Sequence, residues 1–588
     1  MINRKRLVAV FSLVSALAFA PAALASGVVV SPAPGTPTAM PQTQISFLGA
    51  SPGSLAAILV LGSRSGRHSG RLRRYSSASG ASFVLSKPFL PDEHVTVRAK
   101  LRAANGKLTV LSTHFKVARP VAVPMTEFPT TPGTPADVQS FHSLPQLHPP
   151  AVIVHQPAGA GSVPGYLFAA PFLGPGEHGP MIFDDTGNLV WFKTLSGDQD
   201  AADLRTQDFH GKNDLTWWQG HTIQLGYGLG EDVIANANYK TVSIVRAGNG
   251  LQADEHEFNV TPQGSAFVLA YSPLQANLTS AGGPAGGVAV EGVIEEIDVH
   301  TGLVMWEWHS LAHVDVSESY SKLPAAVGAP YDYFHINSLV TDSHGNILIS
   351  ARNTWALYDI SARSGAVMWR LGGKKSTFAL GPGVQFAYQH NAAWLPNGEI
   401  SLFDDEGAPP VKPPSRGELV KLDLKARTAT LTGQLVRTSG PLATGSQGNV
   451  QALPGGGWMV GWGGLPNLTE FNAQGQITYD AQLPHGENSY RVYRLPWNGQ
   501  PSDPPTLSAT TTGASATVYA SWNGATTVAS WQLLSGASAA NLAVVATAPR
   551  SGFETTVTAP AAALFEVRAL SASGRVLGTS KAVAPSAG

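Results

Sequence analysis

The 588-residue chain has no cysteine, so it has no disulfide framework and no thiol nucleophile or metal ligand. Charge is also scarce. Only 13 % of residues are Asp, Glu, Lys or Arg, and the formal net charge is −1. That balance gives neither nucleic acid nor an acidic membrane surface an electrostatic handle. The five arginines between Arg64 and Arg74 are a short local cluster without interleaved aromatics, and they read as a solvated face. Sustained 3.6-residue periodicity is missing, as is any apolar run after the N-terminus long enough to span a bilayer.

Turn formers are abundant, with 62 glycines and 43 prolines. With recurrent Val, Thr and Ser they predict an all-β chain of short strands. Residues 1–25 read as a signal peptide. Arg4-Lys5-Arg6 precedes an apolar run from Leu7 to Ala20, and Ala23-Leu24-Ala25 has the small-x-small pattern of a cleavage site. Export to a secreted or extracytoplasmic location is the expectation. Residues 28–118 read as an immunoglobulin-like β-sandwich and 503–588 as a fibronectin type III-like one. Residues 119–150 have the Pro-dense composition of an extended, weakly structured linker.

The stretch between, 151–497, repeats itself. A unit of apolar-x-Asp/Asn, a few residues, Gly and an apolar strand occurs six times: "MIFDDTGNLVWF" (181), "VSIVRAGNGLQ" (242), "EEIDVHTGLVMWEW" (295), "LYDISARSGAVMWRLGG" (357), "VKLDLKARTATLTG" (420) and "TEFNAQGQITYDAQL" (469). A second hairpin precedes most copies, such as "FHINSLVTDSHGNILIS" and "QHNAAWLPNGEISLF". Two hairpins per repeat predict a four-stranded blade, and six blades predict a propeller flanked by the two sandwiches.

The first hairpins open on His221, His256, His335, His390 and Asn449. Equivalent strand positions in a propeller ring the central channel, so these residues should converge. His221 is the one read as structural. Folding the hairpin about His344 and Gly345 brings Arg352 opposite His335, and the two-residue alternation of a strand puts Asn337 on the same face. Imidazoles, an amide and a guanidinium fork suit a tetrahedral oxyanion. Two competing readings are a three-histidine metal site, which Arg352 disfavours, and a non-enzymatic exported propeller acting as a binding or scaffold protein. "HSLAH" (309–313) reads as incidental, "LGGKKS" (371–376) is not a phosphate loop, and "FDDEG" (403–407) reads as an acidic turn.

With "DEHEF" (254–258), "YDYFHINSL" (331–339), "ISARNTWALYDI" (349–360), "FAYQHNAAW" (386–394), "GNVQALPGGGWMVGWG" (448–463) and "SYRVYRLPW" (489–497), the sequence resembles the bacterial arylsulfotransferases. The resemblance implies a six-bladed propeller that moves a sulfuryl group from a phenolic sulfate ester to a phenol without a nucleotide donor. It implies His390 as the nucleophile that forms a transient sulfohistidine. His335, Asn337 and Arg352 become the sulfuryl-binding and acid–base cluster, with His335 donating to the leaving phenolate, and His256 a further active-site histidine. No cofactor and no metal is called for, because a sulfate monoester carries one negative charge. The implied partners are a small-molecule aryl sulfate donor and a phenolic acceptor. Tyr331, Tyr333, Phe334, Trp355, Trp394 and Trp462 are candidates for an aryl pocket, though core packing accounts for most of them.

Overall fold

A computed structural model describes residues 27–102, 106–326, 328–438 and 440–587. The expected signal peptide lies outside the described residues. Among these residues no helix is long and apolar enough to cross a membrane. Regular structure is β throughout, with only short 3₁₀ turns between strands.

Between Tyr166 and Leu495 six sheets, each built on four antiparallel strands, follow one another. Sheet I is Leu189–Phe192, Met181–Phe183 and Tyr166–Ala169, completed by Tyr493–Leu495 from the far end of the region. Sheet II is Asp200–Phe209, Lys212–Ile223, Tyr227–Ala235 and Thr241–Val245. Sheet III starts at Phe258–Val260, sheet IV at Ile336–Thr341, sheet V at His390–Trp394 and sheet VI at Asn449–Ala452. In sheets III to VI the two hairpins read from the sequence are the two hairpins observed.

The recurring Asp or Asn has a physical reason. Its side chain closes the turn that the following glycine permits. Asp342 Oδ1 accepts from the backbone N–H of His344 at 2.7 Å and of Asn346 at 2.8 Å, while Gly345 takes φ +82°. Asp184 and Asn472 do the same in their own hairpins.

Sheet II departs from the expected pattern. "GHTIQLGYGLGEDVIAN" is its second hairpin, not its first, and "VSIVRAGNGLQ" is its last strand plus a loop. The opening hairpin turns at His210 and Gly211, both with positive φ. Its first strand carries Asp200, Asp203, Arg205, Gln207 and Asp208, so it lacks the apolar alternation that marks a strand.

Side chains of the first strands bind each sheet to the next. Tyr493 Oη donates to Asp203 at 2.8 Å, Arg205 to Glu257 at 2.6 Å, and Asn259 to the Leu339 carbonyl. Asn337 donates to the Gln389 carbonyl at 2.8 Å, Val450 N to Asn391 at 3.1 Å, and Asn449 to the Val492 carbonyl at 2.9 Å. The circuit passes through sheets I to VI and returns to I.

Two further pairs of four-stranded sheets flank this region. Val29–Lys116 encloses one apolar cluster that includes Phe47, Val97 and Phe115. Thr506–Ala587 encloses another around Trp531 and Phe565. The Pro-dense stretch between the first pair and sheet I is tied down: its backbone bonds to Pro273, Gln275, Gln224 and Leu173.

Candidate active site

The first strands of sheets III, IV and V deliver His256, His335 and His390 to one cavity of about 430 Å³. Arg352 reaches the same cavity from the 3₁₀ turn Arg352–Thr354, which ends the second strand of sheet IV. His335, Trp355, Tyr388, Asn391 and Gln447 all hold left-handed φ between +49° and +68°. Such non-glycine residues cost on the order of 1–3 kcal/mol each and gather where a fold is held to a purpose. Here Asn353 is the brace. Its N–H donates to the Phe334 carbonyl at 3.1 Å and its amide to the Asp332 carbonyl at 2.7 Å.

Each of the three imidazoles is backed by a carboxylate on Nδ1. The distances are 2.5 Å for His256 to Asp254, 2.5 Å for His335 to Asp332, and 2.7 Å for His390 to Asp405. A carboxylate on Nδ1 fixes that proton and leaves Nε2 as the working nitrogen. On His390, Nε2 accepts from the Gln447 backbone N–H at 3.2 Å, which assigns it a lone pair. The rings of His256 and His335 stand nearly perpendicular, 5.0 Å apart. Tyr490 lies 5.2 Å from His256 and 6.3 Å from His390. Its hydroxyl is occupied by the Asn337 carbonyl at 2.8 Å.

The three histidines differ in basicity. Burial, reinforced by the positive charges of Arg352, His256 and His335, holds His390 well below the ordinary value of 6.5. Burial also lowers His335, and Asp332 offsets this only in part. For His256 burial pulls downward too, but Asp254 and then Glu255 outweigh it, and the net direction is up. His390 and His335 are therefore held toward the neutral form, and His256 is the imidazole of the three that holds its proton most firmly. Beside them burial, with Asp254 adding to it, pushes the Glu255 carboxyl up to about 8.

The predicted residues separate at this point. His256, His335, Arg352 and His390 come together. Asn337 does not line the cavity. It is fully buried, and its amide donates to the Gln389 carbonyl as a link between sheets IV and V. The two-residue alternation fails because His335 is left-handed and the strand bulges between Ile336 and Ser338. Asn449 is likewise a link, bonded both ways to Val492. His221 sits on the second strand of sheet II, half-exposed and paired with Glu127 at 3.0 Å.

Sequence reasoning missed the three carboxylates. Asp254 and Asp332 stand inside quoted motifs, and Asp405 belongs to the stretch read as an acidic turn. It also missed Arg491, fully buried, which donates to Glu257 at 2.9 Å, the His256 carbonyl at 3.0 Å and the Asn337 carbonyl at 3.2 Å. None of the six aromatics offered as pocket walls lines the cavity. Phe128 and Phe172 do.

Residues 205–483 match the model of a family described as arylsulfotransferase (ASST). No curated protein matches the chain. Among solved structures the chain is similar to a protein of unknown function from Bacteroides caccae, 13% identical with a TM-score of 0.35, over 56% of this chain and 98% of that one. It is also similar to a protein of unknown function from Dyadobacter fermentans, 10% identical with a TM-score of 0.28, over 70% and 100%. A luciferin-regenerating enzyme is 12% identical with a TM-score of 0.26, over 52% and 84%.

Proposed function

We propose, from the match of residues 205–483 to the arylsulfotransferase family model, that the chain carries a sulfuryl group from a phenolic sulfate ester to a phenol by way of His390. The observation that carries the reading is one cavity holding three carboxylate-backed imidazoles and a guanidinium.

In the first half-reaction the neutral Nε2 of His390 attacks sulfur. The bond from sulfur to the phenolic oxygen breaks, and its electron pair stays on that oxygen. His256, the imidazole held above its ordinary basicity, donates the proton; this moves the acid role from His335 to His256. His335, neutral, accepts a hydrogen bond on Nε2 or relays the proton. The second half-reaction reverses these steps: His256 takes the acceptor's proton as its oxygen attacks sulfur and His390 leaves. Asp405 holds the charge that appears on the His390 ring.

Sulfuryl transfer, like phosphoryl transfer, asks mainly for positioning and for charge stabilisation on equatorial oxygens. Arg352 spends one N–H on Asn353 Oδ1 at 3.0 Å and one on the Gly445 carbonyl at 2.8 Å. A guanidinium has five N–H groups, so three remain for the sulfuryl oxygens. The Gln447 N–H that now points at Nε2 is freed when Nε2 bonds to sulfur, and it becomes a further donor.

The same proposal extends to the scaffold. The six consecutive sheets and their closed circuit of first-strand hydrogen bonds support a six-bladed propeller, with Tyr493–Leu495 fastening the ring onto sheet I. The basic and apolar pattern of residues 1–25 supports export.

Incubation of purified protein with 4-nitrophenyl sulfate, with and without phenol, tests the reading. Phenol-dependent release of nitrophenol is expected. So is a mass gain of one sulfuryl group on the protein, absent in His390→Ala. Undiminished turnover by a folded His390→Ala would remove the covalent route.

A further inference from the structure

The Pro-dense stretch after the N-terminal sheets is fastened beside the cavity, which Phe128 lines. Gln224 N donates to the Thr126 carbonyl at 2.7 Å, and the Gln224 amide donates to the Glu127 carbonyl at 3.0 Å. The Glu127 carboxylate pairs with His221, and Thr131 N donates to the Leu173 carbonyl at 2.6 Å. Between these anchors stands Phe128, 37% exposed and lining the cavity. The two turns that hold the strap also line it, through Leu225 and Gly226 on one and Phe172 and Leu173 on the other. Gly226 packs against the catalytic cluster itself: a Cβ there would stand 3.3 Å from His335 Cε1.

The cavity is thus amphipathic by segment. The first strands of sheets III to V and the turn at Arg352 supply the ionisable groups. The strap and its anchoring turns supply the apolar ones. An aryl sulfate has the same division, a charged sulfuryl head on a flat apolar ring. At about 430 Å³ the cavity lies low in the range of small-molecule sites, about 300–1,000 Å³, which suits a one-ring ligand.

We propose that the strap 126–131 carries Phe128 to the site as its aryl-binding residue, the specificity-determining side chain that receives the ring of a monocyclic phenolic substrate. The inference rests on the sulfotransfer reading and names its substrate class. It also gives the N-terminal segment a task, since without it Phe172 is the one aromatic residue left of the two, Phe128 and Phe172, that line the cavity.

The test uses the full chain with Phe128→Ala and Phe128→Tyr. Calorimetry measures affinity for 4-nitrophenyl sulfate and for methyl sulfate, and steady-state kinetics measures transfer. Loss of one aromatic contact should weaken aryl sulfate binding in Phe128→Ala by roughly tenfold. It should raise KM with kcat little changed, the mark of lost uniform binding. Methyl sulfate should bind both proteins alike, and Phe128→Tyr should restore aryl affinity. Unchanged aryl affinity in Phe128→Ala overturns the proposal, as does an equal loss for methyl sulfate, which would make the strap a structural tie. Calorimetry reads ring binding whether or not turnover occurs, so an inactive wild-type protein overturns the transfer reading separately.

Discussion

The backbone N–H of Arg352 donates to the carbonyl of His335 at 2.8 Å. This bond joins the two ends of one hairpin and sends both side chains into the same cavity. The Arg352 guanidinium lies over the Tyr388 ring at 4.8 Å and bonds the Gly445 carbonyl. It forms no ion pair with Asp332 or Asp359 among the described residues.

Arg352→Lys should therefore keep the fold and lose the fork. Removing a preorganised donor costs on the order of 3 kcal/mol in the transition state, roughly a hundredfold in rate. Turnover and melting temperature measured together separate the outcomes. Near-normal turnover with a lowered melting temperature would reject the clamp.

Asp405 and His390 make a sharper case, because both are buried. An Asn at 405 keeps the shape but no longer demands a proton on Nδ1, so the imidazole is free to take the wrong tautomer. Asp405→Asn should lower kcat by about a hundredfold or more with its circular dichroism spectrum unchanged. A tenfold or smaller loss would mean that the Gln447 N–H alone sets the tautomer.

Much of this was legible in the residues, for identifiable reasons. The outer hairpins announce themselves because Asp or Asn and a glycine close the turn, as at Asp184 and Gly187. His256, His335 and His390 were found because each opens a repeat. The opening strand of sheet II was not legible, since a strand that uses Asp203 and Arg205 for inter-sheet ion pairs has no apolar stripe. Nor was the last strand of sheet I, which comes from more than 300 residues away in sequence. Asn337 was misplaced by one left-handed residue, His335. Asp405 looked like a turn residue because nothing local marks a carboxylate whose partner is His390 on the neighbouring strand.

The pH profile follows from the directions of shift. In the proposed mechanism His390 must be neutral to attack, and its basicity is held below the ordinary value of 6.5. His256 must be protonated to donate, and its basicity is raised above 6.5. The rate should rise with pH through a value under 6.5 and fall through a value above it, with its maximum between the two. Rates of nitrophenol release measured from about pH 4 to about pH 10, on both sides of the histidine value, check this. His256→Gln should abolish the alkaline limb while keeping the acidic one; a profile with both limbs intact would assign the acid to another group.

A second buried cluster makes stability, not catalysis, depend on pH. His309 lies between Glu291 at 3.1 Å and Glu307 at 3.4 Å, beneath the N-terminal sheets. Thr38 donates to Glu291 at 2.6 Å, and Glu307 N donates to Ser31 Oγ at 2.9 Å. Burial alone would lower the basicity of His309, but the two carboxylates push it up to about 10. An unfolded histidine titrates near 6.5. The cluster therefore contributes its full stability below about pH 6.5 and loses it as pH rises through about 10. Glu295, pushed up to about 8 by burial and by Glu307, adds loss of the same sign at lower pH. Denaturant midpoints should fall steadily for the wild type as pH rises from about the free histidine value to about 10. His309→Gln, which leaves Glu291 and Glu307 without a cation, should cost about 3 kcal/mol near neutrality and flatten the alkaline slope. Equal slopes in the two proteins would show that the N-terminal sheets do not rest on a charged His309.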